Sequence, residues 1–240
     1  MKRIVFILVM MIGCLSINAK TLIIYYSYTN NVEKIVNELN RQIEAEVVEI
    51  EPTEKGLDYA ANNYTIGSAQ IGAIKNNPAD SSSYPTIDPV NVNLDEYDTI
   101  IIAAPLWWSQ MAAPLQTYLF HNGKKMAGKN IGLIVSSASS GISGVEADMK
   151  RLIPDGNFLS PSLWIRSSQT SNASSMLENW LREIDYEKLT SGIDRVSNDV
   201  AAHFTVYTLS GRQLMYKSKS IDSLLDGIYI INGNKTYISR

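Results

Sequence analysis

Apolar and polar positions follow two periods along this chain, and the switches between them outline a repeating strand and helix pattern. Thr21 to Tyr26 is an apolar β-branched and aromatic run. Polar turn residues follow it, and then Val32, Ile35, Val36, Leu39 and Ile43 take the spacing of one helix face. Glu46 to Ile50, Thr99 to Ala104 and Ile131 to Val135 repeat the strand signature, each mostly apolar, as strands covered on both faces must be. Between and after them, Met111, Leu115, Tyr118 and Leu119 share a face, with Pro114 near the first turn, where its missing N–H costs nothing. Val145, Met149, Leu152 and Ile153 share another, and Leu177, Trp180, Leu181 and Ile184 a third. This alternation predicts an α/β fold: a doubly wound, mainly parallel sheet with helices on both faces. Ligands then bind beyond the strand C-termini. Thr53 to Asn93, rich in Asn, Ser and Pro, predicts a helix near Leu57 to Ile74 plus a long surface loop.

Both ends depart from the repeat. Residues 1–19 begin with Lys2-Arg3, continue through the apolar run Ile4 to Ile12 and close at Ile17-Asn18-Ala19, which is the plan of a secretory signal cleaved after Ala19. A buried N-terminal strand, or a lipoprotein site at Met11-Ile12-Gly13-Cys14, is the alternative. From about Gly192 the helical period stops, and residues 189–203 are expected to link the domain of 20–188 to a small all-β tail of 204–240. There Phe204 to Leu209, Gln213 to Tyr216 and Gly227 to Ile231 are short strand runs, with turn signals at Ser210-Gly211 and Asn232-Gly233.

Composition narrows the function classes. With 45% hydrophobic and 19% charged residues over 240 positions, the chain can bury one full core. Net charge is -3, and loss of Lys2 and Arg3 would leave 19 basic against 24 acidic residues, so no nucleic-acid partner is expected. Cys14 is the only cysteine and lies inside the expected signal. Disulfides, thiol catalysis and cysteine metal sites therefore drop out, and no metal site is expected.

Candidate chemistry sits just after the first, third and fourth strands, at one end of the sheet. Ser27, Tyr28, Thr29, Asn30, Asn31 and Val32 place hydroxyls and amides where a helix begins. Exposed N–H groups and the helix dipole favour a phosphate there, although Ser and Thr are also ordinary N-caps. Pro105, Leu106, Trp107 and Trp108 set two adjacent indoles at a loop start. Adjacent residues cannot both face one core, so one flat surface is left for stacking on a planar heterocycle; packing under a loop is the alternative. Ser136, Ser137, Ala138, Ser139, Ser140 and Gly141 run on to Gly144 with small side chains that let backbone approach a ligand. A serine hydrolase finds no support: G-x-S-x-G is absent, and neither His121 nor His203 sits in a partner motif.

Together these loops resemble the flavodoxin family over Thr21 to Tyr186. Ser27-x-Thr29-Asn30-Asn31 is similar to its S-x-T-G-N-T phosphate loop, with Asn30 in place of glycine and Val32 in place of threonine. Tyr97-Asp98 through Pro105-Leu106-Trp107-Trp108 to Pro114 resembles the second flavin loop. Gly128-Lys129 through Ser140-Gly141-Ile142 and on to Met149-Lys-Arg-Leu152 follows the third, with Ala138-Ser139 where the pattern has two glycines. The resemblance implies a five-stranded flavodoxin-like sheet and FMN as cofactor. Its phosphate would lie on Ser27 to Val32, Trp107 or Trp108 would cover one ring face, and backbone groups from Ser137 to Gly141 would meet the pyrimidine edge. No protein side chain is expected to do the chemistry, which is the flavin's.

Flavodoxins that carry electrons typically cover the second ring face with an aromatic from the third loop. Ser136 to Gly144 has neither aromatic nor charge, so an open face is expected, suited to a donor or a small acceptor such as a quinone. A cofactor-free surface binding protein on the same fold is the alternative. Val206-Tyr-Thr-Leu-Ser-Gly-Arg212 with Leu225-Asp-Gly-Ile-Tyr-Ile-Ile-Asn-Gly233 resembles the sorting tail of type IX secretion, implying a partner in the secretion machinery and an exported, periplasmic or surface location. No transmembrane segment is expected once the signal is removed.

Overall fold

The computed structural model describes residues 19–190, 204–218 and 220–239. The expected signal, apart from Ala19, the expected linker from residue 191 onward, Cys14 and His203 lie outside them. The chain folds as two compact units, Ala19–Ser191 and one that includes the C-terminal strands.

In the larger unit the buried strands come from the apolar runs at Thr21, Thr99 and Ile131, whereas Glu46–Glu49, at the sheet edge, has no buried residue and is not covered on both faces as expected. β1 (Thr21–Tyr25), β2 (Glu46–Glu49), β3 (Thr99–Trp107) and the two-residue β4 (Gln110–Met111) precede β5 (Asn130–Ser137), β6 (Asn157–Phe158) and β7 (Leu163–Arg166). The sheet runs β2-β1-β3-β5-β6, with β7 also on β5 and β4 folded back on β3. All pairings are parallel except β3 with β4. The fifth position is thus filled by two short pieces, β6 and β7. Pro161 lies between them and has no N–H to give a ladder.

The helices are α1 (Asn31–Gln42), α2 (Ala61–Asn76), α3 (Ala113–Asn122), α4 (Ser143–Leu152), α5 (Ala173–Glu183) and α6 (Tyr186–Thr190). Side-chain alternation along the strands makes two cores. Leu22, Ile24, Ile100, Ile102 and Leu133 pack with residues of α2, α3 and α4 on one face. Ile23, Tyr25, Ile101, Ala103 and Ile134 pack with α1 and α5 on the other. Each fully buried aliphatic side chain contributes roughly 1.5–3 kcal/mol. Met111 departs from the expected helix face: it belongs to β4, opposite Leu106, and α3 begins two residues later with Pro114 in its first turn. The Thr53 to Asn93 region holds one α-helix, α2, opened by a left-handed turn at Asn62, Asn63 and Tyr64, and a 3-10 turn at Ser81–Ser83.

The C-terminal unit is all-β. β8 (Phe204–Thr208), β9 (Gln213–Ser218), β10 (Gly227–Ile231) and β11 (Asn234–Ile238) form an antiparallel sheet ordered β11-β10-β8-β9. Asn232 and Gly233, at φ 50° and 90°, make the two-residue turn between β10 and β11. Phe204, Val206, Ile221, Leu224, Ile231 and Ile238 are its buried side. No helix among the described residues is long and apolar enough to cross a membrane.

Candidate functional site

The C-terminal ends of β1, β3 and β5 open on a cleft of about 390 Å³, within the ~300–1,000 Å³ of small-molecule sites. Its wall includes Ser27, Tyr28, Thr29, Asn31 and Val32 from the first loop. Pro105, Leu106, Trp107 and Trp108 come from the second, and Ser137 and Ala138 from the third. Asn30, Ser139, Ser140 and Gly141 do not line it. The last three are exposed on the far part of their loop, so Ser136 to Ala138 form the third wall.

The first loop is built to leave amides open. Asn30 takes φ 60° and ψ 6° and makes no capping hydrogen bond with its side chain. Asn tolerates this left-handed region better than most residues, so the turn survives without glycine. Ser27 Oγ accepts from the Glu33 N–H at 3.2 Å, and Asn31 Nδ2 donates to Thr29 Oγ1 at 3.2 Å. Ser27 thus caps one amide of α1, while Asn31 and Val32, whose first-turn N–H groups have no partner within the helix, line the cleft. Those amides and the dipole suit an anion such as phosphate.

The two indoles divide their duties. Trp107 sits in an aromatic nest, with ring centroids 5.6 Å from Tyr26, 6.5 Å from Tyr28 and 4.8 Å from Tyr59. Trp108 is 44% exposed and meets only Tyr64 and Trp107 edge-on, at 6.3 and 6.5 Å. Trp108 is therefore the indole with a face to offer. Gly67 on α2 makes room for it, since a Cβ there would stand 2.9 Å from the Trp108 Cζ3.

Polar atoms of the cleft are few and mostly spent. Tyr28 OH donates to Asp58 Oδ1 at 3.0 Å and accepts from the Ala60 N–H at 3.1 Å. Ser137 Oγ donates to the Ser140 carbonyl at 3.0 Å and accepts from Trp164 Nε1 at 2.8 Å. Arg166 lies over that Trp164 ring, 4.8 Å from its centre. Ser136 and Tyr59 differ: both line the cleft, and the Ser136 Oγ and Tyr59 OH are buried behind its wall with no hydrogen-bond partner. Such an orphan is costly unless a ligand or solvent satisfies it. Burial pushes the Tyr26 and Tyr59 hydroxyls up, so both stay neutral. No lining residue carries a charge.

Five lining residues lie outside the sequence-derived set: Tyr59, Ala60, Tyr64, Gly67 and Ser167. Ser167 follows β7, and the rule that pointed to the other loops would have found it had that strand been read. Tyr59 and Tyr64 are aromatics in a polar stretch, a signal that could have marked them. Ser136, grouped with the third loop by sequence, is the last strand residue but one. His121 sits on α3 with its ring edge-on to Phe120 at 5.2 Å, and it is not on the cleft.

Known proteins place this geometry. A structure from Bacteroides eggerthii, provisionally described as a flavoprotein, aligns with 70% of this chain and 99% of its own at 22% identity and TM-score 0.56. A flavoprotein from Lactobacillus acidophilus, solved in complex with FMN, aligns with 65% of this chain and 99% of its own at 25% identity and TM-score 0.51. No curated protein matches the chain. The flavodoxin family profile matches residues 20–184, the whole of the parallel sheet and its cleft. By that match, and by the sheet order and loops described, the chain belongs to the flavodoxin family.

Proposed function

We propose that the chain binds FMN in this cleft and acts, after export, as an electron carrier or as a flavin-dependent reductase of a small acceptor such as a quinone. The observation that carries the reading is the convergence of three kinds of residue on one cleft: Asn31 and Val32 in the first turn of α1, the half-exposed Trp108, and Ser136 with its partnerless Oγ. They match a phosphate, a flat ring and a polar ring edge in that order. The FMN bound by the Lactobacillus acidophilus relative supports the same ligand. FMN would supply one- and two-electron redox chemistry.

The chain's residues bind and orient. Amides of α1 hold the phosphate without a lysine. Trp108 shields one ring face, and Ser136 meets the polar edge. The absence of acidic side chains from the lining leaves negative charge on the ring unopposed, unlike an acidic cleft. That favours turnover with small acceptors beside simple electron shuttling. Lys2-Arg3 and the apolar run after them support export.

Titrating apo-protein with FMN, followed by flavin fluorescence, tests the reading. A dissociation constant near or below about 1 μM, roughly -8 kcal/mol, is expected. A millimolar value would instead support the cofactor-free binding role, to which Val32 at the phosphate end lends its missing hydroxyl. Steady-state assays with nicotinamide donors and quinones then separate reductase from carrier.

A further inference from the structure

One closed ring of hydrogen bonds, away from the cleft, holds the hairpin that carries Trp108. β3 and β4 pair Leu106 with Met111 and Trp107 with Gln110, which leaves Trp108 and Ser109 as the turn, at φ 46° and 62°. Two-residue turns with both φ values positive favour Asn-Gly, because larger side chains crowd the backbone there. Trp-Ser is a poor turn sequence, so this turn needs holding from outside.

The hold comes from α3 and α4. The Met111 N–H donates to Asp148 Oδ2 at 2.9 Å, and Gln116 Nε2 donates to the Met111 carbonyl at 2.7 Å. Arg151 Nη2 donates to Asp148 Oδ1 at 2.9 Å and to Gln116 Oε1 at 2.7 Å, which closes the ring. Arg151 Nη1 donates to Tyr84 OH at 3.0 Å. Asp148 and Gln116 are 4% and 1% exposed. At Gly144, a Cβ would fall 1.8 Å from the Ser109 carbonyl oxygen, so only glycine lets α4 close against the turn.

The Asp148–Arg151 pair is half-buried, with Arg151 reaching solvent; such a pair is a weak source of stability, but it fixes geometry. We propose that Asp148, Arg151 and Gln116 are positioning residues that hold the Trp108 indole at the cleft, so that opening the ring weakens binding of the flavin ring and leaves the phosphate end untouched. The ligand part of this inference rests on the FMN reading.

Asp148→Ala and the milder Arg151→Gln are compared with wild type for FMN and riboflavin affinity, for inorganic phosphate competition, and for amide exchange across residues 106–111 in apo-protein. Both flavins are expected to weaken about tenfold in Asp148→Ala, with phosphate competition unchanged and exchange across 106–111 accelerated. Asp148→Asn, which keeps an acceptor for the Met111 N–H, is expected to return affinity to within about threefold of wild type. The inference is overturned if folded variants bind both flavins within twofold of wild type, or if FMN weakens and riboflavin does not. Should wild type bind neither flavin, the FMN reading falls, and unchanged exchange across 106–111 would then overturn the bracket on its own.

Discussion

Trp108 is asked to do something its backbone resists. A non-glycine residue in the left-handed region costs roughly 1–2 kcal/mol, and here Trp108 and Ser109 share that state with no Asn or Gly between them. An indole left 44% exposed forgoes much of the burial that would offset this cost. Strain that persists at a cleft wall points to use rather than to stability. The neighbouring Trp107 is the reverse case, packed among three tyrosines. Trp108→Ala is accordingly expected to weaken FMN about tenfold while the melting temperature holds or rises. Trp107→Ala should lower the melting temperature by several degrees as well as affinity; fluorescence titration and calorimetry on the two variants check the split. Sequence showed that one of two adjacent indoles must be free, because adjacent side chains diverge. Which one was decided by Tyr26, Tyr28 and Tyr59, residues distant along the chain.

At the scale of elements, one carboxylate ties the end of the segment between β2 and α2 to the first loop. Asp58 accepts from the Ala60 and Ala61 N–H groups at 2.9 and 3.1 Å and from Tyr28 OH. The Tyr28 hydroxyl first, and then these amides, hold its carboxyl below the ordinary value of 3.8. A depressed folded pKa means a contribution present above 3.8 and lost as pH falls through the lower folded value. Asp58→Ala should therefore melt below wild type through the neutral range, and the gap should close only below about pH 3.8; paired melting curves across pH measure it. The long apolar strands were legible because both of their faces are buried, and the helices α1, α4 and α5 because each buries one periodic face. α2 was legible as a helix near Leu57 to Ile74 but not in its bounds, Ala61–Asn76, since only Gly67, Ile71 and Ile74 are buried along it and its first turn is left-handed. β6 and β7 were missed because neither exceeds four residues and Pro161 parts them.

For the whole molecule, every lining residue of the cleft belongs to the Ala19–Ser191 unit. A chain ending at Thr190 is expected to bind FMN within twofold of the full chain, measured by calorimetric titration; a larger loss would show that the C-terminal sheet takes part. The tail carries Leu209, Tyr216 and Leu225 exposed at 58%, 65% and 80%, so its removal should also change solubility rather than redox behaviour. Hydrophobic period, turn residues and the three loop motifs were enough to determine the fold class, the sheet end that bears the cleft and the chemistry expected there, because these depend on local spacing and on connection rules. Only tertiary structure decided which loop residues reach the cleft, which of its two indoles stays exposed, that Tyr59, Ala60, Tyr64, Gly67 and Ser167 complete it, and that Asp148, Arg151 and Gln116 brace it. Those outcomes depend on distances between residues far apart in sequence, and no local period records them.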